Sequence, residues 1–266
     1  MTTAPTAALL DPGLSALIDR VAERQRVDFG HMVSDVKADG SLITACDRWS
    51  DATLVEGLAQ LYPQEGVLSE EGRQLVPESS AYWVVDPLDG TTNFAAGIPY
   101  WAISLARFEA GVPVLAVLDV PPLRQRIVAV RGSGAWRNGK SLSPPSLQSH
   151  PAGCASLCSR SIGVLQKLPN QRFPGKIRLL GVASLNLVSV AMGQTVAALE
   201  ATPKIWDLAA AWLVLTELGC PVHWLARQPA AIPPGTDLAT ADFPVLAADC
   251  PETLATFMPW AEALLA

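Results

Sequence analysis

The chain has 266 residues, half of them hydrophobic, and a formal net charge of −6 at pH 7. That length supports one large domain or two small ones around a sizeable core, and that composition excludes a disordered protein. The acidic balance gives no general reason to bind nucleic acid or an anionic membrane, and apolar runs such as LAAAWLVL (208–215) fall far short of the roughly 18 residues of a membrane span.

The first residues, MTTAPTAALLDPGLSALIDR, carry no basic residue before their apolar part and meet Asp11 and Pro12 early, so a cytoplasmic protein without a secretory signal is expected. Leu14, Ile18 and Val21 recur at helical spacing over 14–27. Leu54, Leu58 and Leu61 do the same over 50–61, and Pro63 stops them. GVLSEEG (66–72) reads as a strand ending in two glutamates, and YWVVD (82–86) as another strand. Segments 101–108, 112–120 and 126–131 alternate and are split by Gly111 and Pro121-Pro122, which predicts antiparallel strands. GSGAWRNGK (132–140) reads as turns; it begins like a dinucleotide loop but lacks the last glycine and follows hairpin strands. SLSPPSLQSHPA (141–152) is rich in Ser and Pro and marks the expected boundary between an N-terminal half, 1–142, and a C-terminal half, 143–266.

Beyond it, KIRLLG (176–181) predicts a strand, SLNLVSVAMG (184–193) a helix closed by Gly193, and TVAALEA (195–201) a strand. WDLAAAWLVLTELG (206–219) is the strongest helical pattern, with Asp207 able to cap it and Gly219 where a helix stops. The elements sum to an antiparallel half with helices, then an α/β half, packed in layers.

Five cysteines without a C-x-x-C pair predict unpaired thiols in a reducing compartment. His31, His150 and His223 stand singly, a poor supply for a histidine zinc site or a Ser-His-Asp triad. Cys46 reads as a buried structural cysteine, with a redox-sensitive thiol as the alternative. Arg124, Arg126, Arg131, Arg137 and Lys140 read as a solvated hairpin face, with contact to an anionic substrate or partner as the alternative. Trp83 and Trp206 flank acidic motifs and are expected to pack behind them.

The stretch WVVDPLDGTTNF (83–94) carries the chemistry. Asp86 precedes Pro87, so its backbone is extended and its side chain projects from the strand end. Pro87-Leu88 turns the chain and brings Asp89 close. Gly90 permits a backbone conformation denied to other residues, and Thr91 and Thr92 can cap a following helical turn with free N–H groups. Two carboxylates on one turn make a hard-oxygen site for Mg²⁺, and free amides beside them make an anion site. The rival reading is a turn whose Asp and Thr only satisfy backbone groups. Glu70, Glu71, Asp47 and Asp207 are read with them: like charges about 4 Å apart repel by ~4 kcal/mol at an effective dielectric near 20, so converging carboxylates need cations or protons.

These stretches together resemble the inositol monophosphatase family of Mg²⁺-dependent phosphatases, over nearly the whole chain. DPLDGTTNF matches its main signature, IWDLAAAWLVLTELG its second, SEEG its Glu-Glu strand and DGSLITACD the segment before it. The resemblance implies a layered αβαβα sandwich, often a homodimer. It implies that Glu70, Asp86, Asp89, Asp207 and the Leu88 carbonyl hold two or three Mg²⁺. It implies that the Gly90 and Thr91 amides, with Thr92 beside them, cradle phosphate, and that Thr91, paired with Asp47, helps Glu70 activate a water for in-line attack. The substrate's alcohol would meet Asp89, Gly181, Val182, Ala183, Glu200 and Asp207. RLLGVASLNLV (178–188) departs from the family run at Val182, where a hydroxyl residue usually stands, and Gln194-Thr195 replaces the usual aspartate. The expected activity is hydrolysis of a small polyol phosphate, myo-inositol 1-phosphate first. Histidinol phosphate, sugar bisphosphates and 3′-phosphoadenosine 5′-phosphate are alternatives, and a non-catalytic metal-binding scaffold is the rival of another class.

Overall fold

An apolar strand such as residues 82–85 must be covered on both faces, because alternate side chains point to opposite sides. The computed structural model, which describes residues 10–31, 34–37, 40, 42–145 and 153–266, shows how. The N-terminal half runs α1 (Pro12–Asp28), β1 (Ser34–Val36), β2 (Leu42–Thr44), α2 (Ala45–Leu61), β3 (Gly66–Ser69), β4 (Ala81–Asp89) and α3 (Thr91–Ala95). A meander follows: β5 (Ala102–Glu109), β6 (Val112–Val120), β7 (Gln125–Val130), β8 (Gly134–Arg137) and β9 (Lys140–Ser141). Then come β10 (Cys154–Leu157), α4 (Val164–Lys167), β11 (Lys176–Arg178), α5 (Ala183–Ala191), β12 (Ala197–Glu200) and α6 (Ile205–Glu217). The last elements are β13 (Val222–Trp224), β14 (Val245–Ala248) and α7 (Pro251–Leu265).

Strands β3 to β9 form one sheet in sequence order, antiparallel except for the parallel pair β3–β4. The second sheet, ordered β11-β10-β12-β14-β13, is mixed. On one face of the first sheet, Trp83, Val85, Ile103 and Leu105 pack under Leu14, Ile18, Val21, Leu54 and Leu58 of α1 and α2. On its other face, Tyr82, Val84, Ala106 and Leu118 join α5, α6 and the inner face of the second sheet in the largest core. The outer face of the second sheet, with Leu199 and Leu246, packs on Phe257 and Trp260 of α7. The result is the layered αβαβα sandwich. Helix α6 is apolar on nearly all sides because it lies between two sheets.

Several boundaries differ from those read in the sequence, each for a local reason. Helix α2 starts five residues earlier than the leucine spacing suggests, because Thr44 caps it and Asp47 at N3 accepts back from the Thr44 amide. The strand read over 66–72 ends at Ser69, leaving both glutamates in the following bend. The strand read over 176–181 ends at Arg178. The stretch 132–140 is more than turns: β8 and the start of β9 add two short strands to the sheet edge. Of the Ser/Pro boundary, residues 146–152 lie outside the described residues. Strands β10, β13 and β14, short and flanked by loops, and the Pro-containing helix α7 gave no pattern strong enough to read.

The expected solvated basic face is split. Arg131 and Lys140 are exposed, but Arg126 is half-buried and ties three elements: its Nε donates to Asp119 Oδ1 (2.7 Å), its Nη2 to Asp19 Oδ1 (2.8 Å) and its Nη1 to Ser15 Oγ (3.1 Å). Asp119 is buried, so losing its partner leaves an uncompensated charge. Arg126→Met is therefore expected to cost about 3 kcal/mol in urea denaturation, against less than about 0.5 kcal/mol for Arg131→Ala. Equal effects would show that Arg126 is only a surface charge.

Candidate active site

Strand β4 delivers the first carboxylate. Asp86 pairs with Ser104 and Asp89 with Ala102, so Pro87 and Leu88 together stand opposite Ile103 alone, a bulge that re-aims the chain. Inside the bulge the Leu88 amide donates to Asp86 Oδ1 at 3.0 Å. Gly90 then takes a left-handed conformation, φ 103°, and is the N-cap of α3. Thr91 and Thr92, expected as caps, are instead the first two helical residues, because glycine alone accepts the cap's backbone angles. The Thr91 hydroxyl lies 2.7 Å from Asp47 Oδ1 and 3.2 Å from the Leu88 carbonyl. Thr92 points to solvent.

The other carboxylates come from different layers. Asp207 does not cap α6 as expected; it occupies N3, where it accepts from the Lys204 amide at 2.7 Å. Asp89 accepts from the amides of Ser184 (2.7 Å) and Ala183 (3.3 Å), at the positive end of α5. One oxygen each from Asp86, Asp89 and Asp207 lies within 4.8 Å of the others. Glu70 stands next to this trio without joining it: its Oε1 lies 3.0 Å from Lys37 Nζ, and Lys37 also pairs with Glu71. Lys37 had no signal in the sequence, since only folding carries it to the glutamates.

Burial raises the pKa of all five carboxyl groups. Asp86 is held well above the ordinary carboxylate range by burial first, then by Glu70, Asp89 and Asp207. Asp207 is raised likewise by burial, then by Asp89 and Glu70. Asp89 is pushed up to about 6 by burial, against the opposing pull of its hydrogen bonds to Ser184 and Ala183. Glu70 is raised by burial, which Lys37 partly offsets, and Glu71 reaches about 7 through burial and the neighbouring Glu70. A hard divalent cation fits this set: the donors are all oxygen, and Asp86 Oδ2 is buried with no hydrogen-bond partner.

A cavity of about 180 Å³ opens beside the trio, lined by Asp89, Asp207, Gly181, Val182, Ala183 and Glu200. Glu200 is buried, raised to about 8 by that burial, and accepts from Asn186 Nδ2 at 2.8 Å. Asn186 also lines the cavity, and its Oδ1 is buried without a partner. Sequence reading missed it, although its place three residues after Ala183 on α5 puts it on the same helical face. Val182 walls the cavity and also abuts the turn at Gly90: a Cβ added at Gly90 would lie 2.9 Å from Val182 Cγ2. Arg160 stands exposed at the rim, donating to Thr202 Oγ1 at 2.7 Å.

Comparison with known proteins shows the family and the fold. The model of the inositol monophosphatase family matches residues 11–254. A histidinol-phosphatase of Mycobacterium tuberculosis is 34% identical over 218 residues, covering 77% of this chain and 83% of that one. A fructose-1,6-bisphosphatase/inositol-1-monophosphatase of Thermotoga maritima is 28% identical over 208 residues, covering 76% and 80%. The solved structure of an IMPase/NADP phosphatase complexed with Mg²⁺ and phosphate superimposes with a TM-score of 0.77 at 25% identity, covering 94% of this chain and 95% of that one.

The raised carboxylates set a pH dependence. Folded Asp89 and Glu71 keep their protons to about 6 and about 7, higher than the unfolded chain does, so the folded state binds more protons in that window. Their contribution is complete below about pH 4 and is lost as pH rises through 6 and 7. In a chelator, Tm is expected to fall between pH 5 and pH 7.5. At pH 7.5, Asp86→Asn should raise metal-free stability, because it removes a buried charge that Glu70, Asp89 and Asp207 repel. A Tm that climbs over this range, or no gain from the variant, would contradict the electrostatic reading.

Proposed function

Because this chain belongs to the inositol monophosphatase family, and so is a phosphatase, we propose that it is a Mg²⁺-dependent phosphomonoesterase acting on a small phosphorylated alcohol, with myo-inositol 1-phosphate the first substrate to expect. The observation that carries this reading is the convergence of Asp86, Asp89 and Asp207 within 4.8 Å, with Asp86 Oδ2 buried and unpartnered. A scaffold has no use for a set of groups that repel each other.

Glu70, Asp86, Asp89, Asp207 and the Leu88 carbonyl would hold the metal. When bound, Mg²⁺ neutralises the cluster, orients phosphate oxygens, makes water a stronger nucleophile and stabilises a departing alkoxide. The chain's own groups do the positioning. The N–H groups of Gly90 and Thr91, at the start of α3, are free of helical partners and suit phosphate oxygens. Thr91, with its proton committed to Asp47 at 2.7 Å, keeps its lone pairs to accept from the attacking water. Asp47 is itself held by the Thr44 amide at 2.8 Å, so the pair is rigid. Glu70, beside Asp86 and steadied by Lys37, is placed to take the water's proton. The cavity walled by Gly181, Val182, Ala183 and Glu200 takes the leaving alcohol.

Histidinol phosphate is the second reading, favoured by one feature of that cavity. Glu200 and the unpartnered Asn186 Oδ1 offer acceptors, and Val182 offers no hydrogen bond. An ammonium brings three donors and a positive charge to such a wall, where a single hydroxyl brings one donor. A bisphosphate or nucleotide would need a second cationic patch, and among the described residues Arg160 is the only basic side chain lining the cavity. The five free cysteines suit a cytoplasmic setting, and a homodimer is the assembly expected.

Phosphate release from a panel of these esters, with and without Mg²⁺, tests the proposal. Asp86→Asn and Asp207→Asn should each lower kcat/KM by at least about a hundredfold with an unchanged circular dichroism spectrum. Full turnover in either variant would sink the metal assignment. Glu200→Gln should harm histidinol phosphate more than inositol 1-phosphate if the amine occupies that wall, and equal losses would return the choice to inositol.

A further inference from the structure

We infer that Gln25, a glutamine on the buried face of α1, is a positioning residue for the metal-ligand turn, acting through the Pro87 carbonyl. The inference rests on the reading of that turn as a Mg²⁺ site. Residue 25 continues the apolar stripe of Leu14, Leu17, Ile18, Val21 and Ala22, where a leucine would satisfy the packing. Gln25 is instead 0% exposed, and a buried amide is costly unless its hydrogen bonds are made.

Both donors and the oxygen find partners, and their targets are specific. Nε2 donates to the Pro87 carbonyl at 2.8 Å and to Ser50 Oγ at 3.1 Å. Oε1 accepts from Trp101 Nε1 at 3.0 Å. The bulge explains the need for the first of these. Pro87 and Leu88 face one β5 residue between them, so regular ladder pairing lapses where the chain must be held best. Pro87 has no N–H with which to restore it. Its carbonyl is interior, and a buried carbonyl needs a donor, which Gln25 supplies. The third bond matters for the same turn, because Trp101 immediately precedes Ala102, the β5 partner of Asp89.

One amide therefore holds the middle of the 86–89 turn to α1, to α2 through Ser50, and to the strand that pairs with Asp89. The turn's internal bond, Leu88 N to Asp86 Oδ1, shapes the loop but does not tie it to the helical layer. Without the Gln25 donor, the Pro87 carbonyl is free to rotate, and the flanking carboxylates and the Leu88 carbonyl move with it.

Calorimetric Mg²⁺ titration alongside thermal unfolding separates positioning from plain stabilisation. Gln25→Met keeps length and packing but removes the donor. It is expected to bind Mg²⁺ about tenfold more weakly and to raise the Mg²⁺ concentration for half-maximal velocity by the same factor, with a smaller change in kcat at saturating metal. Trp101→Phe, which frees the other end of the same amide, should weaken Mg²⁺ by a lesser factor, and it serves if Gln25→Met fails to fold. Ser50→Ala, in the same network but off the turn, should lower Tm while keeping Mg²⁺ affinity within about twofold. Wild-type affinity in both Gln25→Met and Trp101→Phe, or an equal loss in Ser50→Ala, overturns the inference and leaves the Mg²⁺ site standing. Absence of Mg²⁺ binding in the wild type overturns both.

Discussion

Repulsion between carboxylates held out of water is the constraint on which the rest of this structure depends. Asp86, Asp89 and Asp207 cannot all be charged so close together in a buried cleft without a cation or protons to compensate. The fold opposes that repulsion with rigidity. Each carboxylate is fixed by a backbone amide: Asp86 by Leu88, Asp89 by Ser184 and Ala183, Asp207 by Lys204. Donors of this kind orient the oxygens without neutralising them, so the charge remains available to a metal.

The layers are what make such fixing possible. Asp86 and Asp89 ride on the first sheet, while the helices that supply Asp207 and the amides on Asp89 lie between the two sheets. A side chain at the first turn of a buried helix has little freedom, because the helix is clamped from both sides. The bulge at Pro87-Leu88 adds the local change of direction that an unbroken strand would not give.

Much of this was legible in the sequence because the informative residues are close together in the chain. Asp86, Pro87, Asp89 and Gly90 announce a change of direction and a glycine conformation within five residues; the structure has the left-handed Gly90, but as the cap in place of the threonines, and it carries the strand read over 82–86 on to Asp89 with a bulge where a turn was read. The long apolar patterns of α1, α2 and α6 were equally plain, since a face packed on a sheet must repeat at helical spacing. What escaped reading depends on distance. Lys37 reaches Glu70 and Glu71 across more than thirty positions, and Gln25 reaches Pro87 across 62. Asp207 at N3 instead of the cap, and Arg126 half-buried among three elements, show the other limit: residue type announces a role near a helix end or on a hairpin, and packing decides which.

The contact between Gly90 and Val182 has a consequence for how such a site can change over generations. The turn that would face phosphate and the wall that would face the leaving alcohol share a van der Waals boundary, with no space for even a methyl group between them. Added bulk at position 182 therefore has one closed direction, toward the turn that would face phosphate, and one open direction, into the cavity. Replacement by threonine keeps the branched shape and adds a hydroxyl without adding bulk toward Gly90. Specificity at this wall can thus be rewritten in polarity at constant shape, and in size only on the side that faces the cavity.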